Sequence, residues 1–197
     1  ATVDGSSTSN GIRLNSGSLA ATISSSTIND TSNGVDFEDV STGVVDSTSL
    51  TNIGGIGIDI DQPSADVTVN GTTSFDNNDQ SGTGVEVDYS AAQVATLDDI
   101  TINGSSTGVN VENYGNGQAK TIISNVDITQ SGSNGVDFNN PGSDGELVIN
   151  ESSVIDSTLS NTNTGVLANL GSGEDVTINS SEINSTTTGV DITAGST

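Results

Sequence analysis

Acidic side chains recur at two fixed offsets from a repeated glycine. Carboxylates in such rows could bind hard cations, or act in pairs on a glycosidic bond. The glycines are Gly11, Gly34, Gly57, Gly84, Gly108, Gly135, Gly165 and Gly189. Two residues beyond them stand Arg13, Asp36, Asp59, Glu86, Asn110, Asp137, Leu167 and Asp191, and four beyond stand the acids Glu38, Asp61, Asp88 and Glu112. Stacked repeats would superpose these into two parallel columns, densest at Asp36, Glu38, Asp59, Asp61, Glu86 and Asp88. Rows of hard oxygen ligands suit calcium, so weak calcium binding by these six is one expectation. The other is a solvated stripe that keeps the sheet soluble and blocks lateral pairing. Like charges one coil apart repel by about 1 kcal/mol in water, less in salt, and bound cations would relieve that. Neither reading requires a cofactor.

Other candidates carry less. Two carboxylates alone can hydrolyse glycosides, but 26 acidic residues make chance pairs at suitable spacing inevitable. Asp98-Asp99 is a doublet with nothing beside it to complete a catalytic set. The stretch Gly54 to Gln62 begins like the calcium-binding nonapeptide of β-roll toxins. Its eighth position is Asp61 where a large apolar residue belongs, and no second nonapeptide follows. EF-hand spacing with a closing glutamate is missing. Tyr89 and Tyr114 lie five and six residues beyond their glycines, where exposed rings could stack on sugars as a glycan platform. The alternative is that they cap the apolar column.

The elements that would position these groups follow from the same repeat. Successive glycines are 23, 23, 27, 24, 27, 30 and 24 residues apart, a period that signals stacked coils touching only their neighbours. Positions one and three beyond each glycine are apolar, as in Val35/Phe37, Ile58/Ile60 and Val85/Val87, with Val166/Ala168 a weaker copy. Period-two alternation of β-branched residues predicts a strand with one buried face. A second strand is expected at Val67–Val69, Ile100–Ile102, Leu147–Ile149 and Val176–Ile178, ending in Asn70, Asn103, Asn150 and Asn179. These asparagines are expected to stack as a ladder. A third strand supplies one apolar anchor: Ile28, Leu50, Ile128, Leu159 or Ile183. Around Ile102 the second and third strands are expected to merge. Each coil glycine is assigned to a corner that needs a left-handed backbone or close approach to the next coil.

Three short strands per coil, joined by Gly, Asn and Ser turns, describe an all-β, single-stranded right-handed parallel β-helix. It would form one domain over residues 1–197, with about eight coils and a length of about 40 Å at the usual strand spacing. The variable segments 61–66, 88–95, 112–120, 139–146 and 169–175 should emerge along one edge. The last coil is as regular as the middle ones, so the solenoid is expected to lack its own end caps. It would then continue a longer helix or associate end to end.

Composition narrows the partners. The chain is 30% hydrophobic, with 24 glycines and a net charge of −24. A narrow solenoid needs only a thin column of Val and Ile, because each coil borrows its neighbours' core. Arg13 and Lys120 are the only basic residues. They cannot build a phosphate-binding stripe, so nucleic acid is excluded as a partner. No apolar run approaches a membrane span, and no direct membrane insertion is expected. Cationic surfaces, cations and neutral glycans remain. With no cysteine, little Lys and much Ser, Thr, Asn and Gly, the composition leans to a bacterial or archaeal cell surface or extracellular setting.

The phrases Gly34-Val35-Asp36-Phe37, Thr188-Gly189-Val190-Asp191-Ile192 and Val176-Thr177-Ile178-Asn179 resemble coils of the pectin-lyase-like superfamily of right-handed β-helices. Bacterial autotransporter passenger domains and large secreted adhesins are the nearest in character. The likeness spans essentially the whole chain and reports architecture. Enzymes of that superfamily that resemble pectate lyases use an arginine base with calcium, and polygalacturonase-like ones combine aspartates with histidine and a basic pair. This chain has no histidine, and its two basic residues fall about four coils apart. The expectation is therefore a non-catalytic extracellular shaft, filament or surface-layer building block. The alternative is an adhesin module that binds glycans or cation-bridged surfaces through the variable loops, with a polysaccharide lyase or hydrolase third.

Overall fold

The computed structural model describes residues 1–5, 9–15, 20–39, 42–76, 81–89, 92–113, 118–143, 145–151, 154–157, 163–185 and 187–194. Among them are 23 strands, all paired in parallel, arranged as two eight-stranded sheets and one seven-stranded sheet. The chain visits the three sheets in rotation, so each strand pairs with the strand three further along. Among the described residues no helix is long and apolar enough to cross a membrane.

Every coil glycine opens a strand of one sheet, the glycine sheet, which runs Asn10–Asn15, Asn33–Glu38, Ile56–Asp61, Thr83–Tyr89, Thr107–Asn113, Asn134–Ser143, Thr164–Ser172 and Thr188–Ala194. Its register keeps like offsets together: Ile12, Val35, Ile58, Val85, Val109, Val136, Val166 and Val190 form one column. Side chains alternate across a strand, so the residues between them face outward. The inward column is buried from Val35 to Val166 and opens to solvent at Val190.

The second sheet aligns Ile23, Val45, Val69, Leu97, Ile123, Ile149 and Ile178. The third aligns Val3, Ile28, Leu50, Phe75, Ile102, Ile128, Ile155 and Ile183. Together the three columns make one continuous apolar interior.

Several expectations are corrected. Ile100–Asn103 belongs to the third sheet, beside Thr73–Asp76, and the second-sheet strand of that coil is Val94–Asp98. The two strands stay separate, divided by Asp99 at φ 56°. Leu159 lies outside the described residues, and Ile155 fills its expected place. The seven-stranded sheet closes seven complete turns rather than eight, because the eighth glycine phrase forms a strand with no second-sheet strand after it among the described residues.

None of the coil glycines adopts a left-handed backbone. Left-handed corners between the second and third sheets fall on Ser25, Ser47, Gly71, Thr72, Asp99, Asn125, Glu151 and Ser180, and others lie at Asp30, Asn52, Gly82, Gly104 and Gln130 before the glycine sheet and at Asp39, Gln62 and Gly173 after it. Close approach is what the glycines provide: a Cβ on Gly84 would lie 2.6 Å from the Gly108 carbonyl oxygen and 2.6 Å from the Ile102 side chain. The expected single asparagine ladder divides, because Asn103 lies in the third sheet. Asn70 and Asn150 share a second-sheet column with Asp46 and Ser124. One asparagine rung forms, from Asn179 Nδ2 to Asn150 Oδ1 at 3.1 Å.

Candidate functional site: the acidic face of the glycine sheet

Outward positions of the glycine sheet form the two expected columns. Arg13, Asp36, Asp59, Glu86, Asn110, Asp137, Leu167 and Asp191 follow one another in register. Beside them run Asn15, Glu38, Asp61, Asp88, Glu112 and Asn139. All six candidate cation ligands, Asp36, Glu38, Asp59, Asp61, Glu86 and Asp88, therefore share one face. Parallel pairing puts neighbours in a column about 4.8 Å apart.

The first coil neutralises the start of both columns. Arg13 Nε lies 3.3 Å from Asp36 Oδ2, and the same guanidinium donates to Glu38. Asn10 Nδ2 donates to Asp36 at 2.8 Å and Asn15 Nδ2 to Glu38 at 2.7 Å. Further along, Asn134 Nδ2 donates to Asp137 at 2.9 Å. These asparagines were not singled out as site residues in the sequence. Asn10 and Asn134 each immediately precede a coil glycine, which is the signal that could have found them.

The middle of the face has no such relief. Burial, then the charges of Asp36, Glu86, Asp61 and Asp88, pushes the Asp59 carboxyl up to about 7. Burial, then Glu86, Glu112 and Asp61, does the same to Asp88, also to about 7. Asp88 Oδ1 is buried with no hydrogen-bond partner. Glu86 is raised by burial and by Glu112 and Asp61, and Asp137 by burial, opposed by the Asn134 hydrogen bond. Chemically, these carboxyls hold their protons to higher pH than ordinary carboxylates do. Among the described residues no three acidic side chains close on one point as a metal centre.

Of the two alternatives for the tyrosines, Tyr89 follows the second and closes the apolar column. Tyr89 is 2% exposed, because an odd offset from the glycine points inward. Its Oη donates to the Lys120 carbonyl at 2.8 Å, accepts from the Ala95 N–H at 3.0 Å and lies 3.0 Å from Thr121 Oγ1. Burial pushes the phenol far above its ordinary range. Tyr114 lies outside the described residues. The Asp98-Asp99 doublet is divided between a strand end and a corner, with Asp98 accepting from Asn125 Nδ2 at 3.2 Å. Lys120 lies in the second sheet and pairs with Glu146 at 2.8 Å, remote from Arg13.

The variable segments do share one edge, since each joins the glycine sheet to the second sheet. Strands Asn134–Ser143 and Thr164–Ser172 absorb most of two of them. On this edge a cleft of about 510 Å³ is lined by Glu38, Asp39, Asp61, Gln62, Pro63, Ser64 and Gln93. Gln93 is buried, and its Oε1 has no hydrogen-bond partner.

A parallel three-sheet solenoid with one glycine column and an acidic outer face defines a β-helix protein. Residues 2–118, more than half of the chain, match the family described as right handed beta helix region, and the chain belongs to that family. No curated protein and no solved structure gives a significant match.

Proposed function

We propose that the chain is a non-catalytic structural β-solenoid of the bacterial or archaeal cell exterior, a shaft or surface-layer building block of the adhesin kind. The observation that carries this reading is the in-register stacking of the coil-glycine offsets through the glycine sheet from Asn10–Asn15 to Thr188–Ala194, with a register shift at Asn140/Ser143. Such a stack transmits load along its axis through parallel hydrogen bonds and repeats one contact set per coil. The acidic face suits the role: it keeps a long sheet soluble and attracts cations, calcium included, without requiring one. Immunogold labelling of source cells should decorate the exterior, and internal labelling would overturn the placement. Reducing-end release or unsaturated products from acidic or neutral polysaccharides would overturn the non-catalytic reading.

The cleft beside Glu38, Asp61 and Gln93 favours a second reading, in which the loop edge binds a neutral glycan or a cationic surface group. Carboxylates and amides at one concave spot offer acceptors for sugar hydroxyls or amines. A glycan array with Gln93→Ala and Asp61→Asn variants separates it from the first.

A further inference from the structure

We propose that the cleft beside Glu38 and Asp61 binds a linear polyamine whose ammonium groups stand three carbons apart. This rests on the loop edge being a binding site and names the ligand class for it.

The walls of the cleft come from three successive coils: Glu38 and Asp39, then Asp61 and its turn, then Gln93. Three of the lining residues are carboxylates and none is Lys or Arg, so the cleft offers acceptors to a donor-rich cation. Its volume of about 510 Å³ is that of a small-molecule site. Gln93 adds an observation independent of the acids. It is 8% exposed, and its Oε1 is buried without a hydrogen-bond partner. A buried carbonyl left unpaired is costly, and an ammonium N–H entering the cleft supplies the missing donor.

The same face already holds one organic cation. Arg13 lays its guanidinium across Asp36 and Glu38. Its bond to Glu38 and that of Asn15 both fall on Oε2. The next two coils repeat the carboxylate pair, as Asp59 with Asp61 and Glu86 with Asp88. Neither pair has an ion-pair partner among the described residues.

Spacing selects the ligand. Glu38, Asp61 and Asp88 follow one another in register, about 4.8 Å apart. Two amines separated by three carbons are joined by four bonds of about 1.5 Å, which in zigzag span about 5 Å. A triamine of this kind sets one ammonium on each carboxylate, with one end in the cleft. A point cation matches less well, since no three acidic side chains among the described residues close on one spot. An extended basic peptide carries its same-side charges about 6.8 Å apart and falls out of step.

Titration calorimetry of the 197-residue chain in about 0.1 M salt, where distant charges are screened, tests this. Norspermidine, a triamine with three-carbon spacers, should bind on the order of fivefold tighter than bis(hexamethylene)triamine, which carries the same charge on six-carbon spacers. Asp61→Asn should weaken norspermidine by a similar factor without lowering the melting temperature, and Gln93→Leu should weaken it as well. Asp127→Asn, which removes the same charge from an exposed position of the third sheet, should change binding by less than about twofold. Equal affinities for the two triamines, or equal losses in Asp61→Asn and Asp127→Asn, reduce the cleft to a share of the general acidic field and overturn the proposal. A neutral glycan that binds and is lost with Asp61→Asn, where norspermidine does not bind, overturns the polyamine and keeps the loop edge as a site. Binding of neither removes both.

Discussion

A Cβ placed on Gly57 would lie 2.5 Å from the carbonyl oxygen of Gly84 and 2.4 Å from the ring of Phe75. Backbone and a rigid aromatic block it on two sides, so the coil cannot yield locally. Gly57→Ala should destabilise the chain by about 1–3 kcal/mol, the usual cost of overpacking. Gly54→Ala, whose virtual Cβ meets nothing closer than 4.0 Å, should change it by less than about 0.5 kcal/mol. Denaturant titrations of the two variants check the contrast.

Stability should rise as pH falls from 8 to 5. Asp59 and Asp88 have folded values near 7, above the ordinary carboxylate value of about 4. Between those values the folded state holds more protons than the unfolded one. The stability gained from protonation is complete below about 4 and is lost as pH rises through 7. Asp59→Asn and Asp88→Asn should each raise stability at pH 8, by about 1 kcal/mol after allowing for their remaining solvent contact, and flatten the profile. Melts across the pH range that show a maximum at pH 8 would refute this.

Tyr89→Phe should cost about 1–3 kcal/mol, because the Ala95 N–H and Lys120 carbonyl lose their buried partner. A glycan platform would instead predict lost binding with stability intact. The denaturation midpoint of the variant, measured beside its glycan-array profile, separates the two.

Millimolar calcium at pH 8 and low ionic strength should raise the melting temperature by a few degrees, as expected when bound cations offset roughly 1 kcal/mol of like-charge repulsion. In about 0.15 M sodium chloride part of that gain should vanish, since the solvent-facing carboxylates are screened within a Debye length while the half-buried ones are screened less. A melt indifferent to calcium at low salt would remove cation binding from the face.

The charge columns were legible before any coordinates. Alternation sends even offsets from each glycine outward and odd ones inward, and equal offsets align wherever glycines align. Asp36, Asp59 and Glu86 therefore had to share a line. The same rule already implied that Tyr89, at offset five, turns inward, although its aromatic type suggested a surface role. The assignment of Ile100–Asn103 was not legible. Val-Thr-Ile-like triplets look alike in the second and third sheets, and the variable segment before them hides which strand has already passed.

Local pattern alone thus determined the coil, its period, its inward faces and its acidic outer lines, because these depend on neighbours a few residues apart. Contacts 22 to 32 residues apart settled the rest. Left-handed φ falls on Ser, Thr, Asp, Asn, Gln and Glu corners and on Gly71, Gly82, Gly104 and Gly173, but on none of the coil glycines, which serve where adjacent backbones nearly touch. Near-neutral titration of Asp59 and Asp88 likewise arose only once stacking had buried each carboxylate among others of its own sign.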